Sequence, residues 1–190
     1  MGYSDRPGKS AVERFMQYFF LQAKVVGNLT GVFLAQLDEQ FAQAKPRGFL
    51  AGFRAKPRTV KGYRVFGGKI QAVADDWFAE DPVRLLEVFV VADSERLEIH
   101  PDTLRLISRD NRLINAEVRK DPRANQLFLD LLTSRNDPEK VLRWLNEAGV
   151  FGRFIPDFGR VNAQMQFDMY HHYTVDEHTI HAIGLLARIE

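Results

Sequence analysis

Two helix starts and one helix stop can be read in residues 121–149, DPRANQLFLDLLTSRNDPEKVLRWLNEAG. Asp121-Pro122 and Asp137-Pro138 open the two runs, because Asp accepts hydrogen bonds from first-turn amides and Pro fits the first helical position. Gly149 stands where the second helix should end. Both runs carry apolar residues at helical spacing: Leu127, Phe128, Leu131 and Leu132, then Val141, Leu142 and Leu145. The stretch therefore predicts two short amphipathic helices.

The same punctuation recurs upstream. Asp81-Pro82 and the looser His100-Pro101-Asp102 each precede a helical pattern. The apolar positions of these patterns are Leu85, Leu86, Phe89 and Val90, then Leu104 and Ile107. Short helices with short connections are typical of an all-α array.

One β signal interrupts the helical pattern. The runs YRVF (63–66) and KIQAV (69–73) flank Gly67-Gly68, and two β-prone runs around a two-residue glycine turn predict a hairpin. Residues 45–62 are rich in Pro and Gly, so we expect loop or very short helices there. The predicted fold class is mainly α, an irregular helical array with one small β-hairpin near residues 63–73.

Helical patterns also lie towards both ends of the sequence. Residues 11–44 form one helix of about 51 Å or, as we favour, two helices or one bent helix with a break near Gly27 and Gly31. These glycines would otherwise admit a closely packed neighbour. The last helix is predicted to begin at Thr174 or Asp176 and to run through Glu190, with an apolar face that needs partners from outside this chain. The apolar stripe of residues 11–44 comprises Phe15, Phe19, Val26, Leu29, Phe33, Leu37 and Phe41.

Composition narrows the classes of protein that fit. The chain has 190 residues, of which 45% are hydrophobic, enough to bury the core of one large domain or two small ones. It has no cysteine, which excludes disulfides, cysteine–zinc sites and thiol catalysis. We find no signal peptide and no run near the roughly 18 apolar residues that span a bilayer. A soluble cytoplasmic protein is therefore expected.

Charge is balanced overall but unevenly placed. The formal net charge is +1, yet residues 45–69 hold eight basic residues and no acidic one, interleaved with aromatic residues. This composition suits RNA or single-stranded DNA. A basic loop is more commonly a solvated face or a domain interface, so nucleic-acid binding ranks second.

Four of the five histidines cluster near one another: His171, His172, His178 and His181. His178 and His181 would share a helix face, since they are three residues apart. Histidine and nearby carboxylates suit a divalent transition metal. The other interpretation is a polar helix start with surface histidines, which the residues alone favour. The nearby carboxylates are Asp168, Asp176 and Glu177.

Two motifs carry a resemblance to a known family. Residues 146–190 contain GRFIPDFGR (152–160) and MYHHYTVDEHT (169–179), and the run closely resembles the bifunctional uridylyltransferase/uridylyl-removing family, which modifies the nitrogen-signalling protein PII. In that family these motifs lead into an HD phosphohydrolase domain. Residues 13–30 and 81–143 resemble the family's helical linker.

The resemblance implies a domain organisation. It implies a flexible segment at 1–10, a helical linker domain at 11–165 and the beginning of a truncated HD domain at 166–190. In the family a nucleotidyltransferase domain precedes the linker, and two glutamine-sensing ACT domains follow the HD domain. We therefore expect the chain to begin after the transferase active site and to stop early in the HD domain. The sequence has neither a Gly-Ser motif followed by an Asp-x-Asp pair nor a His-Asp doublet.

The resemblance assigns one site residue. His178, in VDEHT, matches the first metal-ligating histidine of the family's HD site. No complete catalytic set and no cofactor-binding residue is expected here. The intact enzyme would use Mg²⁺ or Mn²⁺, but no tightly bound metal is expected in this chain, since a site needs three or more converging ligands. His171, His172 and His181 receive no role.

The function implied by the resemblance is that of a connecting piece. The whole enzyme would uridylylate PII and remove the uridylyl group, and this chain would connect the two active sites while catalysing neither reaction alone. Its partners would be PII and the transferase, HD and ACT domains, with no membrane. The alternative is a standalone helical module that binds protein or RNA through residues 45–69.

Overall fold

The mainly α fold class is confirmed by the computed structural model, which describes residues 2–44, 58–164 and 173–189. Four short strands form one sheet: β1 (Arg58–Val60), β2 (Tyr63–Phe66), β3 (Lys69–Gln71) and β4 (Glu98–Ile99). The helices in these ranges are α1 (Ala11–Ala44), α2 (Trp77–Glu80), α3 (Arg84–Ser94), α4 (Pro101–Asp110), α5 (Ala116–Lys120), α6 (Pro122–Leu132), α7 (Pro138–Glu147), α8 (Val150–Phe154), α9 (Pro156–Val161) and α10 (Val175–Leu186).

The predicted hairpin is confirmed as strands β2 and β3. They pair antiparallel, with Phe66 opposite Lys69, so Gly67 and Gly68 are the two-residue turn. Both glycines have positive φ, +58° and +78°, as a primed hairpin turn requires. Tyr63 and Ile70 point inward and are fully buried, which fixes the register of the hairpin.

Two more strands extend the hairpin into a sheet of order β1-β2-β3-β4. Residues 58–60, predicted as loop or very short helix, instead form β1 and pair antiparallel with β2. The short strand β4 pairs in parallel with β3, so that Ile70 lies opposite Ile99. The prediction of a lone hairpin was therefore incomplete, because the second edge comes from a two-residue strand that follows α3.

Helix α1 is a single helix of 34 residues, so of the two favoured alternatives, two helices or one bent helix, the first was wrong. Gly27 and Gly31 lie inside it, and a Cβ built on either would meet no described atom within 4 Å, so neither marks a closely packed neighbour among the described residues. Phe19, Leu29 and Phe33 of the predicted stripe are exposed, and so they do not pack on the described core. No helix within the described ranges is both long enough and apolar enough to cross a lipid bilayer.

The predicted helix-start signals are largely confirmed. The Asp121 carboxylate accepts hydrogen bonds from Arg123 N and Ala124 N at the start of α6, and Asp137 accepts one from Lys140 N in α7. The His100 ring accepts one from Asp102 N at the start of α4. Asp81 instead caps the turn before α3, which begins at Arg84 rather than next to Asp81.

Helix α7 ends where predicted, at a glycine. Gly149 has φ +74° and directly follows Ala148, which is the C-cap of α7. A left-handed residue at this position closes a helix most readily when it is glycine.

Among the described residues, one hydrophobic core joins the sheet to helices α2 to α10. Phe89, Leu142 and Ile180 are fully buried members of this core. The expectation that α10 runs through Glu190 was wrong, and the expected unpartnered apolar surface is confined to its last turn, where Leu185 and Leu186 are exposed. The helix ends at Leu186, and Ile180 and Ile183 pack on the core of this same chain.

Candidate functional site

Three of the candidate site residues predicted from the sequence, Asp176, Glu177 and His178, lie in the first turn of helix α10. Thr174 is the N-cap, and Asp176 and Glu177 lie in the first turn, where negative charge suits the helix dipole. Asp176 is fully buried, whereas His178 is exposed. Two residues along a helix turn the side chain by about 200°, so the two point in nearly opposite directions.

The Asp176 carboxylate is held by three described segments at once. Its Oδ2 accepts a hydrogen bond from Lys24 Nζ of α1 at 2.5 Å and from Asn146 Nδ2 of α7 at 2.9 Å. Its Oδ1 accepts one from Ala163 N, in the turn after α9, at 3.0 Å. Burial alone would raise the pKa of Asp176, but hydrogen bonds from Lys24, Asn146 and Thr174 outweigh it and keep this pKa below its usual value.

The turn after α9 is fixed by the same polar cluster. Asn162 Oδ1 accepts a hydrogen bond from Lys24 Nζ at 2.9 Å, and Asn162 O accepts one from Gln17 Nε2 at 3.2 Å. Ala163 has φ +55°, a left-handed conformation that is unfavourable for alanine. The hydrogen bond from its amide to Asp176 helps to hold this conformation.

A second polar network joins α7 to the solvent side of α10. Glu139 Oε1 accepts a hydrogen bond from Arg143 at 3.0 Å and lies 3.2 Å from His181 Nδ1. Arg143 also donates to Glu177 Oε2 at 3.1 Å. The hydrogen bonds from His181 and Arg143 lower the pKa of Glu139. Arg188 Nη2 lies 3.5 Å from the second Glu139 oxygen.

The two described histidines of the cluster differ in their surroundings. His181 faces Glu139 and stacks on Tyr173, with ring centroids 6.1 Å apart. The His178 amide donates to Thr174 O at 2.9 Å, whereas its imidazole is exposed and makes no hydrogen bond to any side chain or backbone group that the structure describes. His171, His172 and Asp168 lie outside the described residues.

The described residues do not complete a metal site. Among them no group of three or more His, Cys, Asp or Glu side chains is placed to hold an ion. Asp176 already forms an ion pair with Lys24, and Glu177 already forms one with Arg143. The exposed imidazole of His178 therefore fits the role of a single ligand to a metal whose other ligands come from elsewhere.

The basic stretch is described only in part. Its first 13 residues, 45–57, lie outside the described residues. Within the remainder, Arg58 pairs with Glu95 at 2.7 Å, and Arg64 is exposed on the outer face of β2.

The residues that hold α10 were not predicted from the sequence, namely Lys24, Asn146, Glu139 and Arg143. One signal was available for Lys24, which is the only charged residue between Phe15 and Leu37. A single charge in such a long uncharged helical stretch indicates a specific ion pair, because a lysine is almost never buried without one. The α7 residues carried no such signal.

Comparisons with known proteins agree on one family. The family model described as the third domain of uridylyltransferase GlnD matches residues 63–154. The whole chain is similar to the bifunctional uridylyltransferase/uridylyl-removing enzymes of Novosphingobium aromaticivorans (70% identity over 190 residues), Erythrobacter litoralis (66% over 191) and Rhodospirillum rubrum (50% over 190). Each match covers 100% of this chain but only 20–21% of the relative, so the chain spans about a fifth of their length. Lys24, Asp176 and His178 lie outside the family-model match but inside these full-chain matches.

Proposed function

Because this chain belongs to the bifunctional uridylyltransferase/uridylyl-removing enzyme family, we propose that it connects and orients the two catalytic units of such an enzyme. On this proposal the whole enzyme acts in the cytoplasm on the signalling protein PII. It adds UMP to a PII tyrosine when nitrogen is scarce and removes it when glutamine is plentiful. The helical body, which is the linker domain at residues 11–165, lies between the transferase unit and the hydrolase unit. The hydrolase unit is the HD domain, and α10 is its first helix.

One observation carries this proposal: α10 is docked on the helical body while His178 points away from it. The buried side of α10 meets α1 and α7 through Asp176 and Ile180. The exposed side presents an imidazole without a partner among the described residues. A connector that contributes one ligand to a metal site is expected to fix the backbone of that residue and to leave its side chain exposed, as is seen for His178.

His178 would be one ligand of a divalent metal, Mg²⁺ or Mn²⁺, in the hydrolase unit. When bound, such an ion activates a water molecule for attack on the uridylyl–tyrosine phosphodiester. The role of this chain is to hold the His178 backbone in a fixed position relative to the helical body. The remaining ligands, a His-Asp doublet and a further Asp in this family, would come from a later segment, since this sequence has no His-Asp doublet.

We propose that this chain alone catalyses neither reaction. The test is to incubate it with PII, UTP and Mg²⁺, and separately with uridylylated PII and Mn²⁺. We expect no transfer and no release of UMP, because neither set of metal-binding carboxylates is complete. Turnover in either mixture would refute the proposal of an inactive connector.

The reading frame gives a second test. An encoded protein that continues past Glu190 into a His-Asp doublet would support the connector. A natural stop codon after Glu190 would favour a standalone helical module that binds protein or RNA.

A further inference from the structure

We propose that Lys24 and Asp176 are positioning residues for His178, so that the metal site of the hydrolase unit depends on a contact made by the distant helix α1. This inference rests on the proposed function. Lys24 and Asp176 are 152 residues apart in sequence, and Lys24 Nζ lies 2.5 Å from Asp176 Oδ2.

Asp176 fixes the first turn of α10 because its two oxygens are held from different directions. Oδ2 faces α1 and α7 through Lys24 and Asn146, and Oδ1 faces the turn after α9 through Ala163 N. Lys24 is itself oriented by Asn162 Oδ1 at 2.9 Å. The first turn can therefore neither rotate nor withdraw without breaking a hydrogen bond to this buried carboxylate.

The rest of α10 is held separately. Ile180 is fully buried in the core, and Gly184 lies so close to α7 that an added Cβ would be 2.7 Å from the Glu139 Cβ. These contacts do not involve Lys24 or Asp176. Loss of the ion pair is therefore expected to loosen the first turn, including the backbone of His178, without releasing the helix from the core.

The experiment uses the full-length polypeptide that contains this sequence, with Lys24→Met, Asp176→Asn and Lys24→Arg variants. The matched control is Lys120→Met, which removes an exposed lysine at the end of α5. Three properties are measured: manganese binding by calorimetry, both activities, and hydrogen exchange of the amides in the first turn of α10.

We expect Lys24→Met and Asp176→Asn to weaken manganese binding about 10-fold or more, the usual cost of losing a group that orients a metal ligand. At low manganese these two variants should lose uridylyl-removing activity in proportion to their weaker manganese binding, and high manganese should restore it. Their uridylyl-transfer activity should stay within about 2-fold of the wild type. First-turn amides should exchange faster. Lys24→Arg should restore most of the affinity, and Lys120→Met should match the wild type.

Unchanged manganese affinity in Lys24→Met would overturn the inference. Equal loss of both activities, with no recovery at high manganese, would also overturn it, because that pattern indicates a general loss of structure. A wild-type polypeptide that lacks uridylyl-removing activity would refute the proposed function instead. Manganese binding and hydrogen exchange of the same variants would then still decide whether the pair positions His178.

Discussion

Gly152 of α8 and Gly159 of α9 touch backbone to backbone, so that a Cβ on Gly159 would lie 2.6 Å from the carbonyl oxygen of Gly152. Next to this contact, Phe151 and Phe158 stack with ring centroids 3.8 Å apart. Both glycines belong to the GRFIPDFGR motif. The motif therefore has a packing role, which is to let two short helices approach closely enough for the two rings to stack.

Replacing Gly159 with alanine should destabilise the protein by about 1–3 kcal/mol, because the neighbouring backbone cannot yield to the added methyl group. The matched control is Gly31→Ala in α1, where an added Cβ meets no atom of the described residues within 4 Å. That change should stabilise the protein by up to about 1 kcal/mol, since alanine favours a helix over glycine. Urea denaturation measures both changes. Equal effects of the two substitutions would contradict the close contact.

Loss of either partner of the Lys24–Asp176 pair should also destabilise this chain. Lys24→Met leaves a fully buried carboxylate with neutral donors only, and we expect it to cost about 2–4 kcal/mol. Because the two residues interact directly, the effects of Lys24→Met and Asp176→Asn should fall short of additivity by about 1 kcal/mol or more in a double-mutant cycle.

The matched control for this cycle is an exposed ion pair. Arg160 and Asp157 lie 2.6 Å apart but are 79% and 85% exposed. Arg160→Met should change the free energy of unfolding by less than about 1 kcal/mol, as is usual for surface pairs. Additive effects of Lys24→Met and Asp176→Asn would show that the buried contact is absent in solution.

Local chemistry made parts of this fold predictable. Asp121 and Asp137 cap the helices that directly follow them, and Gly67-Gly68 forms the turn between its two flanking strands. Each of these features depends on residues that are neighbours in sequence. For the same reason the hairpin, the helix starts at these two aspartates and the mainly α class were all predicted correctly.

The features that were missed depend on residues far apart in sequence. Strand β4 has two residues and pairs only because α3 returns the chain to β3. At the candidate site, the sequence offered Asp176 and His178 but gave no means of distinguishing the buried carboxylate from the exposed imidazole. The burial of Asp176 depends on contacts with Lys24, Asn146 and Ala163, and Lys24 lies 152 residues away, so no pattern local to Asp176 identifies it as a partner.

The network around Glu139 predicts a pH dependence of stability. The pKa of Glu139 is lowered by His181 and Arg143, so the folded state favours the charged carboxylate. A lowered pKa adds stability above the unfolded value near 4.5, and this contribution is lost as the pH falls through the folded value. Arg188 and Glu177 complete the charged groups of this network.

Glu139→Gln should therefore lower stability at pH 6 by up to about 1 kcal/mol, the upper range for partly exposed ion pairs. The difference from the wild type should shrink as the pH falls below about 4.5, because the unfolded wild-type chain then takes up a proton on this carboxylate and the folded chain does so only at lower pH. Urea denaturation at a series of pH values measures this. A difference that stays constant from pH 6 to pH 3 would show that the charge of Glu139 makes no contribution.

Metal binding by this chain alone should be weak. His178 is exposed, but the described residues place no second and third ligand beside it. A tight site needs several converging ligands, so calorimetric titration with Mn²⁺ or Zn²⁺ should detect no site of submicromolar affinity. His178→Ala should leave the titration unchanged, and His181→Ala serves as the matched control because its ring is already engaged by Glu139. A submicromolar site that His178→Ala abolishes, and His181→Ala retains, would show that this chain completes the metal site by itself.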